Sequence, residues 1–414
     1  MHLTRKLAMV GAIVLISACQ ELEETATVQP RQAQDFDGHG FSEEGLGAIQ
    51  EMMETAIRDG RITSGIAMLA RDEDIVWLKP VGDMGPGVSM REDAIIPLAS
   101  VGKMYTAVAA MILKERGVIS LEDPVSKYVP EFADLMVEVT DASGTVSLAA
   151  PVTPLTVYHL LTHTGGLTVS GDDFWAAWNT HSERTTTTHL ARALAAIPLS
   201  SQPGERFEYG PTGASYEVLG AVIEIASGQT LEAFMIDSIF QPLGLDDTYF
   251  FLPPEKSGRL PAFYRKVDGA LRLDREYGVD FPRSTFFHGG GGVEASPQDI
   301  VRFAQLFLNG GAVGSVRILR PETVQLMMSD HVGDKSPFGG GRGWGFGASV
   351  LSTDVGIPAQ YGWVGGGYAI LWIDPRERLI AYFAFPVMPP GDNELLNEFR
   401  RLVDAAMADP NTEN

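Results

Sequence analysis

Residues Ile96–Lys103 read IPLASVGK, and they contain the only Ser-x-x-Lys sequence of this 414-residue chain, Ser100 with Lys103. A helix is predicted immediately afterwards, from Val101 to Arg116, by the spacing of its apolar residues. Residues three apart are neighbours at a helix start, so the hydroxyl and the ammonium should share one face. The positive end of the helix would stabilise an oxyanion and favour a neutral lysine. This stretch therefore predicts a serine nucleophile with a lysine as its base.

The elements on either side of this motif predict an α+β fold. A helix is predicted from Glu44 to Asp59, residues 120–245 are mostly helix and loop, and an amphipathic helix, Asn393–Met407, comes last. The predicted strands are Gly65–Ala70, Ile75–Leu78, Phe346–Leu351, Tyr368–Ile373 and Leu379–Phe385. We expect an antiparallel sheet flanked by helices, with an all-helical lobe inserted and the functional site in the cleft between them.

Three stretches of the chain resemble a known family. They are Ile96–Lys103, Leu155–Leu167 (LTVYHLLTHTGGL) and Pro203–Tyr209 (PGERFEY). Their sequence and order resemble the serine β-lactamase-like family, which contains class C β-lactamases, DD-peptidases and family VIII esterases. The resemblance implies the β-lactamase/transpeptidase-like fold. The implied boundaries are a serine hydrolase domain at 44–408, with a sheet lobe at about 44–121 and 289–408 and a helical lobe at about 122–288.

The resemblance also implies roles for individual residues. Ser100 matches the nucleophile that forms the acyl-enzyme, and Lys103 matches its activating partner. Tyr209 matches the tyrosine of the family's Y-x-N element, where a phenolate beside cationic groups can serve as general base. The backbone N–H groups of Ser100 and Gly366 are expected to form the oxyanion hole.

Two positions depart from the family pattern. Pro211 replaces the asparagine of Y-x-N, and proline has no side-chain donor. The family's K-T-G motif is replaced by Trp363-Val364-Gly365, so the cation that would hold a β-lactam carboxylate is replaced by an apolar surface. Trp363 and Gly365 are expected to contact the substrate. An aromatic residue at this position makes the motif pattern most similar to the family VIII esterases.

Several other motifs are assigned structural roles. His159 and His163 are four residues apart and could share a metal, but no third ligand is evident, and a structural, hydrogen-bonded role is favoured. Lys256-Ser257-Gly258 imitates the K-T-G motif but lies in no strand pattern, so a loop is predicted. Gly289–Gly292 is predicted to be a loop at the edge of the cleft. His288 lies beside this loop and receives no role.

The charge balance restricts the partners. The chain has 31 Lys and Arg against 53 Asp and Glu, which gives a formal net charge of −22. A surface of that sign repels phosphate backbones, so no nucleic-acid partner is expected. The expected partner is a small ester, amide or peptide substrate, and no cofactor or metal is predicted.

The first residues resemble an export signal. Residues 1–18 combine Arg5 and Lys6 with an apolar run and small residues, as in a signal peptide. Cys19 is the only cysteine, and Ile16–Cys19 resembles the lipobox of bacterial lipoproteins, in which the cysteine is lipidated. Residues 19–43 are then a lipidated cysteine with a flexible tether. We expect an exported lipoprotein of the cell envelope, in the outer membrane facing the periplasm, with this lipid anchor as its only membrane contact.

These observations favour hydrolysis of a carboxylic ester, or a related acyl compound, through an acyl-enzyme on Ser100. The alternative within enzymes is a β-lactamase or a peptidase acting on cell-wall D-amino acid peptides, which export favours and the two motif departures disfavour. The alternative from another class is a non-catalytic cell-envelope binding protein. Pro211 and Trp363 keep that alternative open, whereas the joint presence of Ser100, Lys103 and Tyr209 weighs against it.

Overall fold

A large, mostly antiparallel β-sheet organises the structure. The computed structural model describes residues 31–32, 37–179, 186–274, 286–352 and 360–407. Its strands are β1 Arg31–Gln32, β2 Ser64–Arg71, β3 Asp74–Gly85, β4 Val88–Ser89, β5 Ile96–Pro97, β6 Val137–Thr140, β7 Val146–Ala149, β8 Thr248–Tyr249, β9 Tyr264–Val267, β10 Ala270–Leu273, β11 Glu294–Ala295, β12 Ala312–Val313, β13 Val316–Arg317, β14 Arg342–Trp344, β15 Ser349–Leu351, β16 Gln360–Gly365, β17 Ala369–Asp374 and β18 Leu379–Ala384.

The helices supply both the cover of this sheet and an inserted lobe. They are α1 Glu43–Arg58, α2 Lys103–Glu115, α3 Val157–Leu161, α4 Gly171–Asn179, α5 Thr187–Leu194, α6 Ala214–Ser227, α7 Leu231–Met235, α8 Gln241–Leu243, α9 Pro297–Leu308, α10 Pro321–Met327 and α11 Asn393–Met407. Shorter 3₁₀ turns are Asp37–His39, Ala99–Gly102, Val125–Lys127, Pro130–Asp134, Pro254–Arg259 and Gly333–Lys335, and Ile236–Phe240 is a π-helical turn.

The strand order joins the two ends of the domain. It runs β1-β3-β2-β18-β17-β16-β15-β14, with β4 beside β3. The strands pair antiparallel except β1 with β3, and Ile66 of β2 lies opposite Ala384 of β18. Strands from the beginning and the end of the domain are therefore neighbours at the centre of the sheet.

Helices cover both faces of the sheet because the strands are apolar on both sides. Phe399 of α11 packs against Trp372 of β17, with ring centroids 5.5 Å apart. Phe307 of α9 packs against Tyr361 of β16 at 4.9 Å. Trp372 lies opposite Gly362, the neighbour of Tyr361, so these two contacts are on opposite faces of the sheet. Helices α1 and α11 cover the outer face, and α9 covers the inner face.

The second lobe is built around α6, which packs against α2, α3 and α5. From Lys103 to Leu113 every residue of α2 is buried, because this helix lies between the sheet and the second lobe. The lobe is helical at its centre, but it also carries the hairpin β6–β7, which sequence periodicity did not predict. The hairpin β9–β10, equally unpredicted, is bonded to the sheet lobe instead, where Tyr264 N–H donates to the Pro386 carbonyl and Met388 N–H donates to the Tyr264 carbonyl. Asp141 stabilises the first hairpin by accepting hydrogen bonds from its own turn, at Ser143 and Thr145.

The predicted α+β fold is confirmed, and most element boundaries differ by one or two residues. The predicted helix Glu44–Asp59 is α1, and the predicted last helix is α11. Strand β16 was not predicted separately. Among the described residues, no single helix has the length and apolar composition needed to cross a bilayer; the bent pair formed by Ala214–Ser227 and Leu231–Leu243 meets both criteria, with a 75° bend. Cys19, the signal segment and most of the predicted tether lie outside the described residues.

Candidate active site

Ser100 lies in a 3₁₀ turn, Ala99–Gly102, that leads directly into α2. The sequence predicted an α-helix from Val101, and this boundary is wrong. In a 3₁₀ turn, side chains at i and i+3 eclipse each other, which aligns Ser100 with Lys103. Ala99 has a φ of +45°, a conformation that is strained for a residue with a Cβ. Packing on both sides of the turn keeps Ala99, the residue before the nucleophile, in this strained conformation.

Lys103 is buried, with 2% of its surface exposed. Its Nζ lies 3.0 Å from Oγ of Ser100 and donates to the carbonyl oxygen of Gly290 at 2.7 Å. Glycine is required at Gly213, which has a φ of +69° and whose added Cβ would lie 3.2 Å from this Nζ. The lysine is therefore fixed beside the serine by a backbone carbonyl and not by a carboxylate.

Tyr209 approaches the pair from the second lobe. Its ring centroid lies 5.1 Å from Nζ of Lys103, within the range of a cation–π contact. Its hydroxyl accepts a hydrogen bond of 2.9 Å from Nε1 of Trp363. The structure thus brings together the serine, the lysine and the tyrosine that the sequence singled out from two separate stretches.

Trp363 occupies the strand position of the family's lysine and forms part of an aromatic cluster. Its ring packs against Tyr209 at 5.2 Å, against Trp344 at 4.7 Å and against Phe338 at 5.6 Å. We expected an apolar surface here; the indole N–H also donates to the phenolic oxygen. A donor at this oxygen stabilises negative charge on it, as the replaced cation would.

Gly365 and Gly366 bring the end of β16 next to the nucleophile. A Cβ on Gly365 would lie 2.1 Å from the carbonyl oxygen of Leu98, so only glycine permits this approach. Gly366 follows β16 with a φ of +57° and begins the turn into β17. The predicted oxyanion-hole residue is therefore located at the strand end that packs against the Ser100 turn.

Glu217 was missed by the sequence reasoning, although it is fully buried on α6. Its Oε2 accepts from the N–H of Gly289 at 3.1 Å, and its Oε1 accepts from the N–H of Gly290 at 2.9 Å. The Gly290 carbonyl then accepts from Lys103. A glutamate inside the apolar run of α6 was the available signal, because carboxylates are almost never fully buried without partners.

The glycine loop and His288 complete this network. Gly289–Gly292, predicted as a cleft-edge loop, is held from its other side by Thr106, whose hydroxyl donates to the Gly289 carbonyl at 2.7 Å. Nδ1 of His288 contacts Oε1 of Glu217, and 43% of this histidine side chain is exposed. His288 therefore joins the buried carboxylate to the solvent.

The two histidines of the second family motif have different environments. Nδ1 of His159 accepts from the backbone N–H of Thr156 at 3.2 Å, which caps α3. The sequence predicted that His163 is hydrogen-bonded, and this prediction is wrong: neither of its ring nitrogens has a hydrogen-bond partner among the described residues. Burial, followed by the charge of Lys103, holds the pKa of His163 well below its usual value, so the ring is neutral. It packs against Tyr209 at 4.7 Å.

The remaining motifs lie away from this chemistry. Lys256-Ser257-Gly258 belongs to a 3₁₀ turn, where Nζ of Lys256 pairs with Asp247 at 2.7 Å. Pro211 lies between Tyr209 and α6, and Gly290 supplies the acceptor of Lys103. Within the described ranges, no group of three or more His, Cys, Asp or Glu side chains could hold a metal ion.

Comparison with known proteins gives a consistent family. A family model described as "Beta-lactamase" matches residues 47–405. Protein Rv1367c of Mycobacterium tuberculosis (strain ATCC 25618 / H37Rv) is 29% identical over 83% of this chain and 89% of its own length. Esterase EstB of Burkholderia gladioli is 30% identical over 79% of this chain and 86% of its own length.

Among solved structures, EstCE1, "a hydrolase with promiscuous acyltransferase activity", superposes with a TM-score of 0.72 at 24% identity, covering 87% of this chain and 98% of its own. At that identity the likeness shows the fold alone. The sequence relatives and the family model cover the sheet lobe and the inserted lobe together. The chain therefore belongs to the beta-lactamase family, with the serine-hydrolase class and the β-lactamase/transpeptidase-like fold that its motifs implied.

Proposed function

We propose that this protein hydrolyses carboxylic esters through an acyl-enzyme on Ser100. The observation that carries the proposal is the 2.9 Å hydrogen bond from Trp363 to the hydroxyl of Tyr209, at the strand position where the family has a lysine. The Tyr209 ring lies 5.1 Å from Lys103 Nζ, and a neutral indole holds its hydroxyl without supplying a cation for a substrate carboxylate. Such a site is suited to a neutral acyl substrate.

In acylation, Ser100 Oγ attacks the ester carbonyl and its proton passes to Lys103 or to the phenolate of Tyr209. Negative charge develops on the carbonyl oxygen, which the N–H groups of Ser100 and Gly366 would stabilise as the oxyanion hole. The carbon–oxygen bond to the alcohol then breaks, and the alcohol leaves with the proton. Water attacks the acyl-enzyme by the same route and releases the carboxylic acid and free serine.

The network behind Lys103 supports this assignment. Glu217 orders two backbone N–H groups, and through them it aims the Gly290 carbonyl at the lysine. A buried carboxylate is costly unless its hydrogen bonds are satisfied, so its use to position one lysine indicates a functional demand at that site. A non-catalytic binding protein has no comparable need for a lysine held 3.0 Å from a serine.

Two measurements test the proposal. Purified protein is treated with a fluorophosphonate probe, and the modified peptide is located by mass spectrometry, with Ser100→Ala as the control. Labelling at Ser100 supports a serine hydrolase, whereas folded but unlabelled wild-type protein would favour the binding-protein alternative. Turnover of p-nitrophenyl butyrate is then compared with that of a chromogenic cephalosporin. Faster ester turnover supports the esterase, and faster cephalosporin turnover would reverse the order in favour of a β-lactamase or peptidase.

For its location, we propose that the protein is exported and anchored by a lipid on Cys19. The supporting observations are the signal-like residues 1–18 and the single cysteine that follows them. The Cys19→Ser protein should not incorporate labelled palmitate in the native host, and it should not fractionate with the membrane. If the Cys19→Ser protein still fractionates with the outer membrane and carries label, the lipoprotein assignment is wrong.

A further inference from the structure

A groove of about 430 Å³ lies on the outer face of the sheet, between strands β14–β17 and helix α11. We name it the arginine groove, and the residues that matter to its chemistry are Arg342, Gln360, Trp372, Arg400, Arg401 and Asp404. Gly362, Trp363 and Val364 of β16 all line it, and the Trp363 ring packs on Tyr209. Side chains alternate between faces along a strand, so the groove is separated from the active site by strand β16.

The groove concentrates positive charge that is not neutralised by ion pairs. Arg342 and Arg400 are half-buried, and neither forms an ion pair with a carboxylate in the described part of the chain. Comparable half-buried arginines do so: Arg61 pairs with Asp392 at 2.8 Å, and Arg259 pairs with Asp247 at 2.6 Å. In a chain with 53 acidic residues against 31 basic ones, two unpaired guanidiniums in one groove require a reason.

These guanidiniums also repel each other. Burial and then the charge of Arg342 lower the pKa of Arg400 to about 10, and burial lowers the pKa of Arg342. Asp404 lines the same groove, and its charge partly offsets the lowering of the Arg400 pKa; burial raises its own pKa against the opposing charge of Arg400, and it forms no ion pair with either arginine in the described structure. With Arg401 at the groove as well, three positive charges face one carboxylate.

The groove also has an apolar wall. The indole Nε1 of Trp372 is buried, and it has no hydrogen-bond partner among the described residues. The guanidinium of Arg400 stacks over the Trp372 ring at 5.2 Å and contacts Oε1 of Gln360, which fixes its plane. Ile370, on the same face of β17 as Trp372, extends the wall beside this indole. A ligand that fits has an oxyanion for the guanidiniums and an apolar body for the wall.

We propose that the arginine groove binds a small organic carboxylate, with its oxyanion between Arg342 and Arg400 and its apolar body along Trp372. A planar guanidinium fork matches the two oxygens of a carboxylate. An incoming anion offsets the repulsion between the two arginines. The site is distinct from the acyl site, because it lies on the other face of β16.

The test is isothermal titration calorimetry of the purified protein with benzoate at constant ionic strength, with phenyl phosphate and neutral benzamide as separate arms. We expect benzoate to bind with a Kd on the order of 0.1–1 mM. Arg400→Gln and Arg342→Gln should each weaken binding by about 10-fold or more, since each removes a charge-assisted contact. Arg58→Gln makes the same charge change at an exposed position on α1 and should leave Kd unchanged.

Every other outcome overturns the proposal. No binding of benzoate, or equal binding of benzamide, would exclude a carboxylate site. Binding that survives both arginine substitutions would place the ligand elsewhere, including the active site. Binding of phenyl phosphate without benzoate would show that the groove selects phosphate esters. Arg400→Lys keeps the charge and the aliphatic stem but loses the planar fork. Weaker benzoate binding, with a higher Kd, is expected for this variant too, and it distinguishes loss of the fork from misfolding of the glutamine variants.

Discussion

Replacing Glu217 with glutamine tests whether the buried carboxylate positions the catalytic lysine. The wild-type side chain accepts from two backbone N–H groups, those of Gly289 and Gly290. Glutamine has one carbonyl oxygen to accept with, and its NH₂ group would face the second N–H as donor against donor. The glycine loop must then shift, and the carbonyl that holds Lys103 shifts with it.

The expected size follows from these contacts. Loss of one hydrogen bond to a buried charged group, with its backbone partner left unpaired, costs about 2–3 kcal/mol of folding free energy. A displacement of the Lys103 acceptor by about 1 Å is expected to lower kcat on the order of 10–100-fold, because proton transfer requires close alignment. KM should change little, since Glu217 is buried behind the lysine.

The assay is steady-state hydrolysis of p-nitrophenyl butyrate by Glu217→Gln, together with the rate of fluorophosphonate labelling at Ser100. Both rates should fall in parallel, because both depend on activation of the serine. Glu224→Gln is the matched control: this residue is also on α6 and accepts from Leu231 N–H at 3.1 Å, but it does not contact the glycine loop. A folded Glu217→Gln protein with wild-type kcat would refute the positioning role, as would an equal loss in Glu224→Gln.

Three further changes have defined outcomes. Trp363→Phe removes the donor to Tyr209, worth about 1 kcal/mol, and should lower kcat of ester hydrolysis roughly 3–10-fold with only a small drop in melting temperature; no loss of kcat would separate this bond from catalysis. Gly365→Ala places a Cβ 2.1 Å from the Leu98 carbonyl, so the fluorophosphonate labelling rate and the melting temperature should both drop, and wild-type values would contradict the close approach. Burial raises the pKa of Glu294 to about 7, from 4.5 in the unfolded chain, so the folded state holds its proton longer and stability falls as pH rises from 4.5 to 7. The free energy of unfolding is measured with urea for Glu294→Gln and for wild type. Between pH 4 and pH 8 the variant should become more stable relative to wild type by up to about 3 kcal/mol, and a difference that does not change with pH would be inconsistent with the raised pKa.

Local patterns were sufficient for the fold class and for the reactive pair. The α1 and α11 spacing, the apolar runs of β2 and β18, and the Ser-x-x-Lys spacing are all local features of the sequence, and in the helices covalent geometry dictates which side chains share a face. The family resemblance of three stretches then gave the inserted second lobe, and the family is confirmed. The 3₁₀ geometry of the Ser100 turn was not predicted, because it depends on the packing of β16 and the glycine loop against it.

The sequence alone determined the residue types that carry the chemistry, the fold class and the serine-hydrolase family. Only the tertiary structure decided how Glu217 reaches Lys103 through Gly290, that Trp363 donates to Tyr209, and that His163 is neutral and without a hydrogen-bond partner in the described structure. Each of these contacts joins residues 46 to 187 positions apart in the chain or depends on burial from several elements at once. Hydrogen bonding and desolvation are fixed by that three-dimensional surrounding, and no local pattern encodes it.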